Sequence, residues 1–244
     1  MSLRGTISNP AGKAPYVRRL FATIADRYDL ITVLLSYGQD RRWKRDLLDM
    51  AGPMEGRRLL DLACGTGDIA LAAASRGAMV TGVDLTQRMI QIARKKVTPG
   101  AARPHQPRFL VGDMMALPVA SASFDVVTAG YGLRNVPELV PAILEIRRVL
   151  KPGGLFVSLD FNRPRSAIVR AAYHGYLSAV GSTVGFVLHG DPDTYRYIAE
   201  SIRTYPGADA IVELLGQQGF TDATWWPVLG GLLAIHVARR NAAA

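Results

Sequence analysis

Three acidic residues lie where a small molecule could be bound, since each stands at the end of a short apolar segment. Asp61 interrupts the run Leu59–Ala63, Asp84 ends the run Val80–Asp84, and Asp113 follows a third run. The carboxyl ends of parallel strands meet at one edge of a sheet, and a carboxylate after the second strand commonly binds both hydroxyls of a ribose. Asp61, just before a turn, suits an amine or another cationic group. Together these positions predict a site for an adenosine-containing cofactor.

The turn after Asp61 carries two closely spaced glycines. Gly65 and Gly67 allow a sharp turn and a close approach of the backbone to a ligand. The segment Gly65–Ala70 satisfies the dinucleotide pattern G-x-G-x-x-G/A, a pattern that is weak by itself. Two cofactors therefore compete for this turn, a nicotinamide dinucleotide and S-adenosylmethionine.

Three features favour S-adenosylmethionine. Asp61 is polar where a dinucleotide site usually has an apolar residue, four positions before Gly65. Asp68 begins the next helix, where its charge would repel a pyrophosphate that the helix N-terminus otherwise attracts. Val111–Met114 ends a third strand in Gly-Asp, at the place where class I methyltransferases hold the adenine. The chain is therefore predicted to bind S-adenosylmethionine.

The order of the elements predicts the fold class. Apolar patterning predicts strands over 58–63, 79–84, 108–112, 124–129, 155–160, 221–227 and 232–239. Helices are expected over 68–76, 86–97, 137–150, 166–188, 193–205 and 210–218, and residues 98–107 are expected to form a loop. Strands that alternate with helices indicate an α/β protein. We predict a doubly wound, mostly parallel, Rossmann-like seven-stranded sheet with helices on both faces.

Length and composition predict one domain. Residues 1–15 are expected to be a flexible tail and residues 16–244 a single methyltransferase domain. Within it, residues 16–50 form a helical substrate lid with an irregular middle (29–38), and residues 166–205 form a helical insertion after strand five. With one cysteine, no signal peptide and no apolar run long enough to cross a bilayer, we expect a cytoplasmic protein.

The net charge of +9 admits several partners. Basic pairs spread along the chain suit a solvated surface, a nucleic acid or an anionic membrane surface. Charge alone does not choose among these three.

Three motifs carry a resemblance to known enzymes. Lys151–Gly154 recurs in many class I methyltransferases, whereas Gly132–Val136 and Tyr195–Arg203 are more specific. In these two motifs the chain resembles the ubiquinone/menaquinone biosynthesis C-methyltransferases (UbiE/MenG). The resemblance runs from about Val17 to Arg239. It implies methyl transfer from S-adenosylmethionine to a ring carbon of a polyprenylated quinol.

The resemblance and the strand ends together nominate the cofactor contacts: Asp61, Gly65, Thr66, Gly67, Asp84, Leu85, Asp113, Met114 and Gly130. The chain also departs from the family pattern. Gly130 stands where the family has serine, Thr32 where it has asparagine, and Asp40 where it has histidine. Asp160 and Asn162 replace a glutamate and a serine. We expect the last four changes to bear on the acceptor rather than on the methyl donor.

Methyl transfer is an in-line displacement, which requires neither a metal nor a covalent protein intermediate. Attack by carbon requires a neighbouring phenol to ionise, which a base or a positive group favours. Arg134 could stabilise the phenolate and Asn135 could orient it. Asp160, His189 and Asp191 are candidate bases, although Asn135 and Asp191 could instead cap helices.

The expected reaction converts demethylmenaquinol to menaquinol. The ubiquinone-pathway benzoquinol or another small aromatic molecule is the first alternative, and a nucleic acid the second. Ala129–Gly132 lacks the Asn/Asp-Pro-Pro-aromatic clamp usual in enzymes that methylate exocyclic amines of bases, so no nucleic-acid partner is expected.

The apolar segments Leu30–Leu35 and Ala167–Leu188 could enclose an isoprenoid tail at a membrane surface, or could pack on the sheet or in a homodimer. Neighbouring basic residues would attract anionic lipid: Arg41, Arg42, Arg163, Arg165 and Arg170.

Overall fold

A computed structural model describes residues 3–97 and 106–242, and its centre is one seven-stranded sheet. The strands are β1 (Arg58–Leu62), β2 (Met79–Asp84), β3 (Arg108–Val111), β4 (Phe124–Gly130), β5 (Leu150–Phe161), β6 (Phe220–Val228) and β7 (Leu233–Arg240). Their order is β3-β2-β1-β4-β5-β7-β6, and β7 runs antiparallel to both of its neighbours while the other pairs are parallel. The predicted fold class is confirmed.

Helices cover both faces of this sheet. They are α1 (Leu3–Ser8), α2 (Pro10–Ile24), α3 (Tyr28–Leu35), α4 (Asp40–Met50), α5 (Asp68–Ser75), α6 (Gln87–Lys96), α7 (Leu139–Val149), α8 (Ala167–His189), α9 (Asp193–Thr204) and α10 (Ala208–Gln217). Side chains alternate across a strand, so Leu59 packs with α4, α5 and α6 while Leu60 packs with α7 and α10. Both faces are therefore buried, as the continuous apolar strands require.

The N-terminal region is more ordered than its composition predicts. Helix α1 and the first part of α2 stand where a flexible tail is expected, and the side chain of Asn9 caps α2 by accepting a hydrogen bond from the backbone N–H of Ala11 (3.1 Å). The apolar side chains of Leu3 and Ile7 are buried in a cluster with Tyr195 and other residues of α2, α6 and α9. Tertiary packing thus outweighs the glycines and prolines of this segment.

Two other local predictions need correction. Residues 29–38, expected to be irregular, lie mostly in α3. Lys151–Gly154, which follows the helix predicted over 137–150 and precedes the strand predicted over 155–160, lies inside β5 as a bulge. There β5 advances from Leu150 to Leu155 while β4 advances from Phe124 to Val126. Most of the predicted 98–107 loop falls on residues 98–105, which lie outside the described residues.

Across the described ranges, none of the helices has the length and apolar character needed to cross a membrane.

Candidate functional site

Two main cavities open along the carboxyl edge of the parallel strands. The first lies over the ends of β1, β2 and β4, where the sheet changes its direction of winding, and residues of α2 line it from above; the second lies next to it, beyond the ends of β4 and β5. The first cavity is lined by Ala14, Val17, Phe21, Tyr28, Ala63, Gly65, Val83, Asp84, Leu85, Thr86, Met89, Gly112, Asp113, Met114, Gly130, Tyr131, Gly132, Asn135, Val136 and Pro137. Ligands of open α/β sheets bind at this switch point, so the first cavity is in the expected place for a cofactor.

Asp84, at the end of β2, is buried and already makes two hydrogen bonds to the backbone. It accepts one from the N–H of Gly65 (2.9 Å) and one from the N–H of Thr86 (2.8 Å). Burial raises the pKa of its carboxyl, and these two donors oppose that rise. Asp84 thus fixes the glycine turn and lines the first cavity, where its remaining lone pairs can accept from hydroxyl groups.

Asp61, inside β1, is fully buried, and only one of its two carboxylate oxygens has a hydrogen-bond partner at normal geometry in the described part of the chain. Its Oδ1 accepts a hydrogen bond from Thr128 (2.8 Å), whereas its Oδ2 makes no hydrogen bond of normal geometry to any residue that the structure describes. Burial raises the pKa of this carboxyl to about 7, in spite of the bond from Thr128. A small polar cavity is lined by Asp61 together with Gly65, Thr66 and Asp68. An unpartnered buried carboxylate oxygen fits the α-ammonium group of S-adenosylmethionine.

The glycine turn is tied to the N-terminal helices. The hydroxyl of Thr66 donates to Asp29 of α3 (2.5 Å), and Lys96 of α6 pairs with Asp29 (2.7 Å) and with Asp68 (2.9 Å). Lys44 of α4 pairs with Asp68 on its other side (3.0 Å). Asp68 therefore serves a cation-rich network, whose lysines lower the pKa of its carboxyl.

Gly67 and Gly130 are glycines for steric reasons. Gly67 immediately precedes α5 and has φ +87°, and a Cβ there would lie 2.9 Å from the ring of Phe109. This glycine therefore serves packing, and it lines none of the cavities described here. Gly130 lines the first cavity, and a Cβ there would lie 2.6 Å from Cδ1 of Ile69. In this chain the side chain of Ile69 takes the space that a serine would need.

The other nominated cofactor residues lie together in the first cavity. Leu85, Asp113 and Met114 line it beside Asp84. Asp113 turns its Oδ1 to the backbone N–H of Met115 (2.9 Å), which fixes the loop after β3.

The second cavity is larger and mainly apolar. It encloses about 330 Å³. It is lined by Leu20, Phe21, Ile24, Tyr28, Ile31, Thr32, Leu35, Ser36, Tyr37, Gln39, Asp40, Trp43, Tyr131, Arg134, Asn135, Phe161, Tyr173, Tyr176, Leu177, Thr194, Tyr195, Tyr197, Ile198, Leu229, Leu232 and Leu233. The two cavities share four lining residues: Phe21, Tyr28, Tyr131 and Asn135. Molecules in the two cavities would therefore meet across this boundary.

Arg134 lines the second cavity, and its guanidinium contacts several side chains behind the cavity wall. Only 4% of its side chain is exposed, and its Nε lies 3.3 Å from Oδ1 of Asp160. Its guanidinium also donates to Ser201 and lies over the rings of Phe161 and Tyr197, 5.0 and 5.8 Å from their centroids. These contacts hold the guanidinium at the wall of the cavity.

Asp160 does not stand where a base is needed. Its carboxylate accepts hydrogen bonds from the backbone and side chain of Arg134 and from the N–H of Phe161 (2.8 Å), and it lies outside the lining of the second cavity. Burial raises the pKa of this carboxyl, while Arg134 opposes the rise. The structure makes Asp160 the partner of Arg134.

Asn135 lies at the boundary of the two cavities. Its amide donates to the carbonyl of Tyr131 (2.8 Å), and its carbonyl accepts from the hydroxyl of Tyr197 (3.0 Å). The residue before α7 is Glu138, so Asn135 does not cap that helix.

His189 and Asp191 lie apart from both cavities. His189 ends α8, where its Nε2 bonds the hydroxyl of Tyr195 (3.0 Å), and burial lowers the pKa of its ring. Asp191 is exposed and accepts from the N–H of Asp193 (2.9 Å) at the start of α9. The structure does not bring these two candidate bases to the site.

Three residues that the motif analysis did not nominate as site residues prove central to the geometry. Tyr28 and Tyr131 line both main cavities and the small polar cavity, and Asp40 lines the second. The departure from the family pattern at Asp40 is the sequence signal for this group, because a single tyrosine does not by itself distinguish a binding residue from a packing residue.

Comparison with known proteins agrees with this geometry. Residues 10–240 match the ubiE/COQ5 methyltransferase family. The chain is 39% identical over 223 residues to the demethylmenaquinone methyltransferase of Thermus thermophilus, an alignment that covers 91% of this chain and 100% of that protein. It is 37% identical over 226 residues to the ubiquinone/menaquinone biosynthesis C-methyltransferase UbiE of Paracoccus denitrificans, covering 92% of this chain and 90% of that one.

Solved structures show the same fold. A SAM-dependent methyltransferase from Thermotoga maritima superposes with a TM-score of 0.64 at 17% identity, covering 92% of this chain and 100% of that one. Phosphoethanolamine N-methyltransferase 2 of Haemonchus contortus, in complex with S-adenosyl-L-methionine, gives a TM-score of 0.62 at 19% identity. That alignment covers 91% of this chain and 60% of that one.

The matched family spans nearly all of the described chain, and the residues at the strand ends fit the methyl donor. The chain belongs to the ubiE/COQ5 methyltransferase family and is an S-adenosylmethionine-dependent C-methyltransferase.

Proposed function

We propose that this enzyme methylates a ring carbon of a polyprenylated quinol, converting demethylmenaquinol to menaquinol. The observation that carries the proposal is the pair of cavities, one with acidic strand ends and one mainly apolar, that share Phe21, Tyr28, Tyr131 and Asn135. The demethylmenaquinone methyltransferase that is 39% identical supports this acceptor.

The residues of the first cavity suit each part of the donor. Asp84 would accept hydrogen bonds from the ribose hydroxyls, and Asp113 with Met114 would border the adenine. Asp61 would accept from the ammonium group, and Gly65 allows the backbone to approach the ligand. When bound, S-adenosylmethionine supplies an electrophilic methyl group on a sulfonium.

The residues of the second cavity suit the acceptor ring. The guanidinium of Arg134 would stabilise negative charge on a ring oxygen, and Asn135 would help to orient that oxygen. Tyr28 and Phe21 would border the ring where the cavities join. The apolar wall limits the access of water and holds the ring carbon toward the donor, which reduces the entropic cost of the displacement.

The apolar tail of the acceptor would follow α3 and α8. Ile31 and Leu35 of α3 and Tyr173 and Leu177 of α8 line the second cavity, in agreement with the tunnel expected from these apolar segments. We therefore favour the tunnel over the alternative of packing or a homodimer contact.

Exposed apolar side chains on these helices and in the turn after α3 suit contact with a membrane surface. Leu30 of α3, Tyr37 of the turn and Phe186 of α8 are 63%, 76% and 66% exposed. Arg41, Arg163, Arg165 and Arg170 would add attraction to anionic lipid, on the order of 1 kcal/mol each close to the surface. We propose peripheral, salt-sensitive binding at the membrane.

Turnover with defined acceptors tests the reaction. The purified protein, with S-adenosylmethionine, is offered demethylmenaquinol, a demethylated benzoquinol and an oligonucleotide, and product masses are recorded. A mass gain of one methyl group on demethylmenaquinol is expected. Exclusive methylation of the benzoquinol would assign the enzyme to the ubiquinone pathway instead. Methylation of the oligonucleotide alone would overturn the proposal.

Flotation tests the membrane contact. The protein should float with anionic vesicles at low salt and release at high salt. Its absence from both neutral and anionic vesicles, with full activity on a short-tailed quinol and no gain from a longer tail, would contradict membrane binding. Light scattering on the same sample measures whether a dimer forms.

A further inference from the structure

Tyr131 lies at the junction of the whole site. It follows Gly130 at the end of β4 and lines the first cavity, the second cavity and the small polar cavity around Asp61. Its backbone has φ +58°, an unfavourable conformation for a residue with a bulky side chain. The N–H of Tyr131 donates to the carbonyl of Leu159 (2.7 Å), and its ring packs 5.6 Å from that of Phe161. Strain of this kind persists where the surrounding structure fixes it, often at functional sites.

The hydroxyl of Tyr131 donates a hydrogen bond to Oδ1 of Asp40 at 2.9 Å. Asp40 begins α4, is 3% exposed and lines the second cavity. Its Oδ2 pairs with Nζ of Lys44 at 2.6 Å, and the same ammonium pairs with Asp68 at 3.0 Å. A buried carboxylate that faces the acceptor cavity thus lies between the ammonium group of Lys44 and the hydroxyl of Tyr131.

The other candidate acids do not line the acceptor cavity. Asp160 lies behind the cavity wall, where it accepts hydrogen bonds from Arg134 and from the backbone N–H of Phe161. His189 and Asp191 lie apart. Among the carboxylates and histidines that the structure describes, Asp40 is the one that lines the second cavity.

We propose that Asp40 accepts the proton of the acceptor's ring hydroxyl through Tyr131. This inference rests on the proposed quinol methylation and names the proton acceptor for it. The ring O–H bond breaks as its proton moves to the oxygen of Tyr131, whose own proton moves to Oδ1 of Asp40. The electron pair stays on the ring oxygen and raises the electron density at the neighbouring carbon.

The proton balance then closes. The displacement forms the ring carbon–methyl bond and breaks the sulfur–methyl bond, with the electron pair left on sulfur. Water takes the hydrogen of the methylated carbon as a proton, and Asp40 returns the first proton to the ring oxygen by the reverse path. One proton leaves for each methyl group. Burial raises the pKa of Tyr131 well above its usual value, so its hydroxyl relays the proton and does not keep the negative charge.

The test compares Asp40→Asn, Tyr131→Phe and Asp40→His with the wild-type enzyme. Asn accepts the bond from Tyr131 but cannot take a proton, whereas His can take one. Asp49→Asn is the matched control, because Asp49 lies on the same helix and pairs with Arg76 at an exposed site. Turnover is measured on demethylmenaquinol and on a fluorinated analogue whose hydroxyl is more acidic, and the Kd of S-adenosylmethionine is measured by calorimetry.

Asp40→Asn and Tyr131→Phe should each lower kcat on demethylmenaquinol by about 10²-fold or more, the usual size for proton transfer by a positioned side chain. The Kd of S-adenosylmethionine should stay within about threefold, a change of less than 1 kcal/mol. The loss should shrink by about tenfold or more on the acidic analogue, which needs less help to ionise, and Asp40→His should recover part of the activity. If the two residues had a purely structural role, the substitutions would lower kcat on both acceptors by the same factor.

Wild-type kcat in Asp40→Asn, or equal losses on the two acceptors, would overturn the inference. If Asp40→Asn fails to bind S-adenosylmethionine, Tyr131→Phe decides by the same comparison. A wild-type enzyme that methylates no quinol would instead overturn the proposed function, so the two failures are distinct.

Discussion

The hydroxyl of Thr66 donates a 2.5 Å hydrogen bond to Asp29, and this contact joins the glycine turn to helix α3. Asp29 also pairs with Lys96 of α6, so one carboxylate connects three parts of the chain. The expected role of Thr66 was direct contact with the donor. The structure adds a second role, which is to hold the N-terminal helices over the first cavity.

Removal of this contact should weaken binding of the donor. Asp29→Ala is expected to raise the Kd of S-adenosylmethionine by about three- to tenfold, because a hydrogen bond to a charged group contributes about 1 kcal/mol or more. Calorimetry measures the effect. The control is Asp49→Ala, which removes an exposed ion pair between α4 and α5. Equal changes in the two variants would contradict a specific role for Asp29.

Substitution of Asp84 should weaken donor binding more than substitution of Asp29, because Asp84 is expected to bind the ribose and also fixes the glycine turn. Asp84→Ala is expected to cost about 1.5–3 kcal/mol of binding free energy, or about tenfold or more in affinity for S-adenosylmethionine. Nicotinamide cofactors should give no binding heat with either protein. Tight binding of NAD with no heat from S-adenosylmethionine would contradict the assignment of the cofactor.

Asp61 should make donor binding depend on pH. Its pKa of about 7 in the free protein must fall when a cation binds beside it, so binding releases a proton below pH 7. Affinity should then decrease by up to about tenfold per pH unit as the pH falls from about 7 to 5.5. Calorimetry in buffers of different ionisation enthalpy measures the released proton. Asp61→Asn should bind weakly and show a flatter profile, and an unchanged profile in this variant would assign the proton to another group.

The same pKa predicts that Asp61, which favours donor binding, lowers the stability of the free protein at high pH. In the free protein Asp61 binds a proton between its ordinary value of 3.8 and about 7, whereas the unfolded chain does not, so stability falls as the pH rises through this range. Asp61→Asn should therefore raise the free energy of unfolding of the free protein at pH 8 by about 2–4 kcal/mol, since one pKa unit corresponds to about 1.4 kcal/mol. Denaturant titration at pH 5 and pH 8 measures it. If the variant is instead less stable than the wild type at pH 8, burial of the Asp61 charge does not dominate the contribution of this residue to the free energy of unfolding.

Arg134 and Asp160 should be energetically coupled. Arg134→Ala is expected to lower the free energy of unfolding by about 3–5 kcal/mol, because it leaves a buried carboxylate without its cation. Adding Asp160→Asn should restore part of that loss in a double-mutant cycle. Lys151→Ala, which breaks the more exposed pair with Asp125, should cost about 1 kcal/mol or less. Additive losses at positions 134 and 160 would mean that the two side chains are independent.

Arg134→Lys separates the pairing with Asp160 from the proposed stabilisation of the acceptor's ring oxygen. It keeps a positive charge beside Asp160 but loses the planar fork that also reaches Ser201. Turnover of the quinol should decrease while the affinity for S-adenosylmethionine changes little. If this folded variant instead loses the donor, Arg134 belongs to the cofactor site.

Much of the fold was predictable because its signals are local. Apolar runs such as Leu59–Leu62 report burial on both faces of a sheet, and the glycines after Asp61 report a turn. Helix α1 and the start of α2 were not predictable in the same way. The glycines and prolines of this segment suggest flexibility, and contact of Leu3 and Ile7 with α9 makes order favourable.

The sequence by itself determined the succession of strands and helices along the chain, the acids at the strand ends and the family, because these depend on residues close together in the chain. Only the tertiary structure decided which side chains meet. It joined Tyr131 to Asp40 across the chain, paired Arg134 with Asp160, and left His189 and Asp191 apart from both cavities. A proton can move only between groups within hydrogen-bond distance, and that distance is set by how the helical layer packs on the sheet.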